Sequence, residues 1–209
     1  MKKLLSILIF TFCITVVSSQ QLTDSGESYT EVVEVKLKKD VIYQKLREWI
    51  SLNYKSSNDV VQLDTKEKII TKGNTVFIYS AGKYNVKYRI SITMVFSIKD
   101  NKFKVDLTPK EIVADILPDT VIDEGTYKIL MTKELLSQDD YTIVADEMAL
   151  KQYKNLGFND KKSKKMLEKT KKYNLRGYES YKVNKNNFDK EIRNLFSSIK
   201  KAVNKKDDW

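Results

Sequence analysis

The chain contains no histidine, and its one cysteine, Cys13, lies inside the N-terminal apolar run. These two absences exclude much chemistry. Zinc sites built from Cys or His lack their ligands beyond residue 13. Ser-His-Asp and Cys-His nucleophile systems lack their base. No disulfide can form within the chain after the apolar run. Catalysis would have to rest on carboxylate, lysine, serine or tyrosine groups, which makes an enzyme the less expected reading. Glycine is scarce too, and Gly73, Gly82, Gly125, Gly157 and Gly177 are scattered, so no phosphate-cradling loop is visible. Neither a metal nor a cofactor is expected.

What the chain does have is enough apolar material for a core, 41%, and a charged share of 32%, above the usual quarter. Its 209 residues suit one domain with an insertion. The start, "MKKLLSILIFTFCITVVSSQQ", places Lys2 and Lys3 before a mostly apolar run from Leu4 to Val17 and then Ser18 and Ser19. This is the three-part layout of a secretory signal peptide, expected over 1–19 with cleavage after Ser19 or Gln20. The run is shorter than the roughly 20 residues a membrane span needs. Cys13 follows Phe12 rather than a small residue, and the apolar run continues past it, which argues against a lipid anchor. The expected location is therefore outside the cytoplasm, periplasmic or secreted.

The formal net charge is +10, and it is uneven. Residues 151–172 hold nine lysines, among them Lys161, Lys162, Lys164 and Lys165, against Asp160 and Glu168. Such a block can attract nucleic acid, anionic lipid or an acidic partner. Export makes nucleic acid a poor match. The plainer reading of the block is a solvated helix.

Along the chain, 20–28 reads as a flexible lead and "YTEVVEVK" (29–36) as a strand. "KKDVIYQKLREWISLNY" (38–54) reads as a helix capped by Asp40, with Ile42, Leu46, Trp49, Ile50 and Asn53 on one face. Strands follow at 59–64 and 67–80, the second containing Gly73, which predicts a bulge or a close approach. The stretch "KYNVKYRISITMVFSIKDNKFKVDLTP" (83–109) has an apolar residue at every second position from Tyr84 to Ile98, up to the turn pair Asp100-Asn101. That turn puts Ile98 opposite Phe103, Phe96 opposite Val105 and Met94 opposite Leu107. A turn at Ala81-Gly82 puts Tyr79 opposite Tyr84 and Phe77 opposite Val86. On the other face it puts Lys87 opposite Val76, Arg89 opposite Asn74 and Ser91 opposite Lys72.

Beyond 110 the pattern weakens. "TIVADEMALKQYKNLG" reads as a helix with Val144, Met148, Gln152 and Leu156 in line and Gly157 as its stop. "DKKSKKMLEKTKK" reads as a separate lysine helix. "KYNLRGYESYK" gathers Tyr173, Tyr178 and Tyr181 around Arg176, and is read first as packing for an irregular segment. The tail is an amphipathic helix with a stripe of Phe188, Ile192, Leu195, Phe196, Ile199 and Val203, capped by Asn187 or Asp189. Asp115, Asp119, Asp123 and Glu124 gather around Pro118 and Gly125 and are read as an ordinary polar connection.

The expected class is α+β: strand, helix, a four-strand antiparallel meander, an insertion over about 111–180 and a closing helix, with the two helices on one sheet face. Residues 29–209 form one domain on this reading. "YTEVVEV", "REWISLNYKSSNDVVQLDTKEKIITKGN", the meander after them and a closing helix ending in "DDW" resemble a secreted family of bacterial proteins of unknown function with a TATA-binding-protein-like fold, of the Bacteroidetes type. The resemblance implies that fold and export. It implies no activity and carries over no site residue, and the fold name does not argue for DNA binding.

Two functions remain open. One is a non-enzymatic binding module of the periplasm or envelope that contacts a protein or an anionic envelope component. Its candidate contacts are Asn74, Lys87 and Arg89 on the second sheet face, the lysines at 161, 162, 164 and 165, and Arg176 with Tyr178. The other is a histidine-free hydrolase or lyase using carboxylates, which would need two acids converging in a cleft.

Overall fold

The structure, a computed structural model, describes residues 21–22, 28–81, 84–114, 124–132 and 134–205. The signal peptide expected at 1–19 and most of the acidic cluster around Pro118 lie outside them. Short strand β1 (Gln21–Leu22) pairs with β2 (Tyr29–Glu34), so the lead expected to be flexible contributes two residues to the sheet. Helix α1 (Lys39–Asn53) and the single turn α2 (Ser57–Val60) follow. The long strands are β4 (Lys68–Ala81), β5 (Tyr84–Lys99) and β6 (Lys102–Ala114), with β3 (Val61–Asp64) ahead of them. Helices α3 (Glu124–Leu130), α4 (Gln138–Asn155) and α5 (Asp160–Asn204) complete the chain. The sheet is antiparallel throughout, in the order β1-β2-β6-β5-β4-β3.

Strict alternation in β5 decides the core face. Ile90, Ile92, Met94, Phe96 and Ile98 are buried together with Ile69 and Phe77 of β4 and Phe103, Val105 and Leu107 of β6. Ile42, Leu46, Trp49 and Ile50 of α1 and Phe188, Ile192, Phe196, Ile199 and Val203 of α5 lie against them. Each such side chain contributes roughly 1.5–3 kcal/mol of burial. The β5–β6 register is the expected one, with Ile98↔Phe103, Phe96↔Val105 and Met94↔Leu107 around a turn in which Asn101 has φ 62. It shifts once, between Ser91 and Ile92, where Pro109 faces Ile92 and Glu111 faces Ser91. Proline has no N–H to give a ladder, so a bulge fits there.

Three expectations need correction. The β4–β5 pairing runs out to Ala81↔Tyr84, so Tyr79 faces Val86, Lys87 faces Ile78, Arg89 faces Val76 and Ser91 faces Asn74. The ladder is two residues away from the register that an Ala81-Gly82 turn implies. A slip of two preserves every residue's face, which is why the buried set is unaffected. Secondly, Asp40 does not cap α1. The cap position is Lys38, without a side-chain bond, and the free N–H of Lys39 donates to Asp100 Oδ1 at 2.8 Å from the β5–β6 turn. Thirdly, the lysine helix, the tyrosine segment and the tail are one helix of 45 residues, α5. Asn187 and Asp189 therefore sit mid-helix. Asn187 Nδ2 donates to Ile78 O at 3.1 Å, and Asp189 accepts from Tyr29 and Lys185. Tertiary bonds of this kind hold helical a segment whose Asn and Gly content argues against helix.

Gly73 shows no break in the β4–β5 ladder. Its reason is the ring of Tyr54, which lies so close that a Cβ on Gly73 would be 2.3 Å from Tyr54 Cε1. That ring is held in turn by the edge of Trp49, 6.2 Å away at 84°. Gly73→Ala is expected to destabilise the fold by about 1–3 kcal/mol, the usual cost of overpacking. In a Tyr54→Ala background the same change is expected to be neutral or mildly stabilising, because alanine suits a strand better than glycine. Urea unfolding of the four proteins measures the coupling; additive effects would refute the contact.

Candidate functional site

The second face of the sheet starts from the polar half of the same alternation. β4 contributes Lys68, Lys72 and Asn74, β5 contributes Lys87, Arg89 and Lys99, and β6 contributes Lys102, Lys104 and, at the bulge, Lys110, all exposed. Carboxylates on this face are Glu34, Asp106 and Glu111, and Asp106 is engaged at 2.7 Å by Lys104 and at 2.6 Å by Thr30 Oγ1. Eight cations against three anions make a positive surface. Apolar side chains lie among them: Val32 and Ile78 are exposed, and Ile70, Val76 and Val95 are half-buried. Ser91 Oγ donates to Asn74 Oδ1 at 3.1 Å, which fixes Asn74 beside Arg89. Among the described residues no helix covers this face, since α1 and α5 both pack on the opposite one. Asn74, Lys87 and Arg89 thus share one sheet face.

The remaining expected contacts lie elsewhere. Lys161, Lys162, Lys164 and Lys165 are exposed on the first turns of α5, where Lys162 Nζ stands 3.8 Å over the ring of Phe158. That end of α5 is tied to α4, not to the sheet, for instance through Lys154–Asp160 at 3.2 Å. Arg176 is exposed. Tyr178 is half-buried, donates to Leu136 O at 3.1 Å, and packs with Tyr141 and Tyr181 at centroid distances of 5.6 and 6.1 Å. These tyrosines are the packing between α4 and α5. The segment is helical rather than irregular, and Gly177 lets the Tyr141 hydroxyl reach the α5 backbone, since a Cβ there would be 2.7 Å from it.

Between α3, α4, α5 and Tyr79 of β4 lies a cavity of about 660 Å³. Of the residues in line on α4, Val144, Met148 and Gln152 border it, whereas Leu156 is exposed. Sequence reasoning missed the cavity. Its signal was the pair of small residues Ala145 and Ala149, one helical turn apart, which leave the inner face of α4 thin. Among the described residues Glu147 is the only carboxylate bordering the cavity. The two converging acids that glycoside-type hydrolysis needs are not found there.

Buried charge is concentrated where α5 meets β2. Lys185 Nζ donates to both carboxylate oxygens of Asp189, at 2.6 and 2.7 Å, and Tyr29 Oη donates to the same carboxylate at 3.1 Å. Burial pushes the Lys185 ammonium below the ordinary lysine range, with Asp189 opposing. Burial, and then the Asp189 charge, pushes the Tyr29 phenol well above its ordinary value. Lys200 donates to the buried Glu31 at 2.8 Å, and Trp49 Nε1 to Ser198 Oγ at 3.1 Å. Lys185 is 2% exposed, so the group holds α5 on the sheet edge and is not open to a substrate. Among the described residues no cluster of three or more His, Cys, Asp or Glu is placed to hold a metal, and no helix is long and apolar enough to cross a membrane.

No curated protein matches the chain. It is similar in fold to a DUF4468 family protein from Bacteroides ovatus, with a TM-score of 0.52 and 12% identity over 90% of this chain and 93% of that one. It is similar in the same way to a TBP-like protein from Parabacteroides distasonis, with a TM-score of 0.52 and 15% identity over 87% and 95%. At such identities the likeness concerns the fold alone. The family model of the domain of unknown function (DUF4468) with TBP-like fold matches residues 29–111, the span of β2 through most of β6, while the helices from α3 onward lie beyond the matched residues.

Proposed function

We propose that the protein is an exported, non-enzymatic binding module of the cell envelope, and that the open sheet face is its contact surface for an anionic envelope component. The observation that carries this reading is the second face, which among the described residues no helix covers and on which eight cations and three carboxylates stand among exposed valine and isoleucine side chains. A surface of one predominant charge raises the local concentration of an oppositely charged partner, and its apolar patches supply contact once the partner has arrived. Export rests on the N-terminal Lys-Lys, apolar run and Ser-Ser pattern. The carboxylate hydrolase is disfavoured because, among the described residues, the cavity brings a single acid to its walls.

The test is co-sedimentation of the chain without residues 1–19 with envelope fractions of its own host across a salt series. Lys72→Gln, Lys87→Gln and Arg89→Gln combined are expected to weaken binding about tenfold and to flatten its salt dependence, at roughly 0.5 kcal/mol per exposed charge. A second variant changes Lys161, Lys162, Lys164 and Lys165 to glutamine and is expected to bind like the parent. If the second variant loses binding and the first keeps it, the contact is the α5 end and the sheet-face reading is wrong.

A further inference from the structure

The cavity has a built gradient of polarity. Its exposed mouth is formed by Lys128, Glu147, Lys151, Gln152 and Asn155. Its buried floor is formed by Ile129, Leu130, Tyr181 and Asn184. The deep polar atoms are already used by the protein. Tyr181 Oη accepts from Leu136 N at 2.9 Å, Asn184 Oδ1 accepts from Ser80 N at 2.6 Å, and Asn184 Nδ2 donates to Ser80 O at 3.1 Å. A guest at the floor therefore meets aliphatic and ring surface rather than hydrogen-bonding partners. Tyr141, stacked on Tyr181 at 5.1 Å and 22°, continues that surface along one wall. That wall is α4 itself, whose inner face is apolar although none of the helix's 18 residues is buried. An apolar helix face left unburied along a cavity is space that protein side chains do not fill, and about 660 Å³ is in the usual range for small-molecule sites.

We propose that this cavity binds an anionic amphiphile, with an apolar chain or ring body against Tyr141, Tyr181, Val144 and Met148 and one carboxylate or phosphate head at the mouth between Lys128 and Lys151. The head group is assigned by charge, since among the described residues two ammonium groups and one carboxylate border the mouth. The body is assigned by the floor, which offers no spare polar atom. This site lies among the helices on the core side of the sheet, so it is independent of the open face.

The probe is cis-parinaric acid, a fluorescent fatty acid, titrated into the chain without residues 1–19. Saturable binding at one site is expected, together with a rise in melting temperature. Ala145→Phe with Ala149→Phe fills the space and is expected to abolish binding while the protein still melts cooperatively. Lys128→Gln with Lys151→Gln changes only exposed side chains, and is expected to weaken the acid about tenfold while leaving the affinity for its methyl ester unchanged. The Lys72, Lys87 and Arg89 variant of the sheet face is expected to bind the probe as the parent does, so the two proposals fail separately. Absence of saturable binding by the parent, or unchanged affinity in the folded Phe variant, overturns the proposal. Equal loss of acid and ester in the lysine variant overturns the assignment of the head group.

Discussion

Asp189→Ala lowers the free energy of unfolding by about 3–5 kcal/mol, a large share of the roughly 5–15 kcal/mol that holds a domain folded. The carboxylate is the one group that both Lys185 and Tyr29 use. Its own side chain is 23% exposed, but the ammonium it serves is only 2% exposed. Removing it leaves a charge in a site whose desolvation already disfavours charge, so the ammonium must shed its proton or draw water into the α5–β2 contact. Asp189→Asn keeps an acceptor for Tyr29 but loses the charge, and is expected to cost less. Lys185→Met in the Asp189→Ala background is expected to recover most of the loss, because a side chain of similar length then fills the site without a charge. Denaturant unfolding of the series decides the point. If Asp189→Ala costs less than about 1 kcal/mol, the pair is solvated and does not fasten α5.

The parts of the fold that were legible in the sequence are those in which one residue's neighbours along the chain decide its environment. The alternation in β5 fixed a face, and Asp100-Asn101 fixed a register, so six buried residues across two strands followed from local chemistry. The β4–β5 register did not follow, because Ala81, Gly82 and Lys83 offer two turn placements that keep the same faces. Helix α5 was read in pieces for a related reason. Its middle carries Gly177, Asn184, Asn186 and Asn187, which are poor helix formers. What keeps them helical lies on β4: Ser80 N and O satisfy Asn184, and Ile78 O satisfies Asn187. No window of sequence contains both halves of those bonds, which are more than a hundred residues apart. The open face was legible as a set of residues, Asn74, Lys87 and Arg89, but not as a surface, since openness depends on where the helices after β6 go. They go to the core side, and the cavity among them was invisible for the same reason.

Above pH 10 the protein loses stability, and Tyr54 alone accounts for about 2–3 kcal/mol of the loss by pH 12. Burial pushes the Tyr54 phenol up to about 12 from its ordinary 10.0. Between those values an unfolded Tyr54 gives up its proton while the folded one keeps it. The unfolded state then binds fewer protons, so stability falls as pH rises, from nothing below pH 10 to the full amount once pH passes the folded value. Tyr29 acts in the same direction, since burial and the Asp189 charge both raise its pKa. Lys185 acts oppositely over its own window. Its folded pKa is depressed, so just below the ordinary lysine value of 10.5 the unfolded state holds the extra proton and stability rises with pH. That gain is complete by about the point at which the tyrosine losses begin, so the balance above it is a loss. Urea midpoints followed from about pH 9 to about pH 12 should therefore fall steeply in the parent. Tyr54→Phe should fall less, by the Tyr54 share, because phenylalanine keeps the ring over Gly73 and the edge contact with Trp49 without a titrating hydroxyl. If the Tyr54→Phe protein loses stability with the same slope, the Tyr54 hydroxyl is in water, and the packing of that ring over Gly73 is wrong with it.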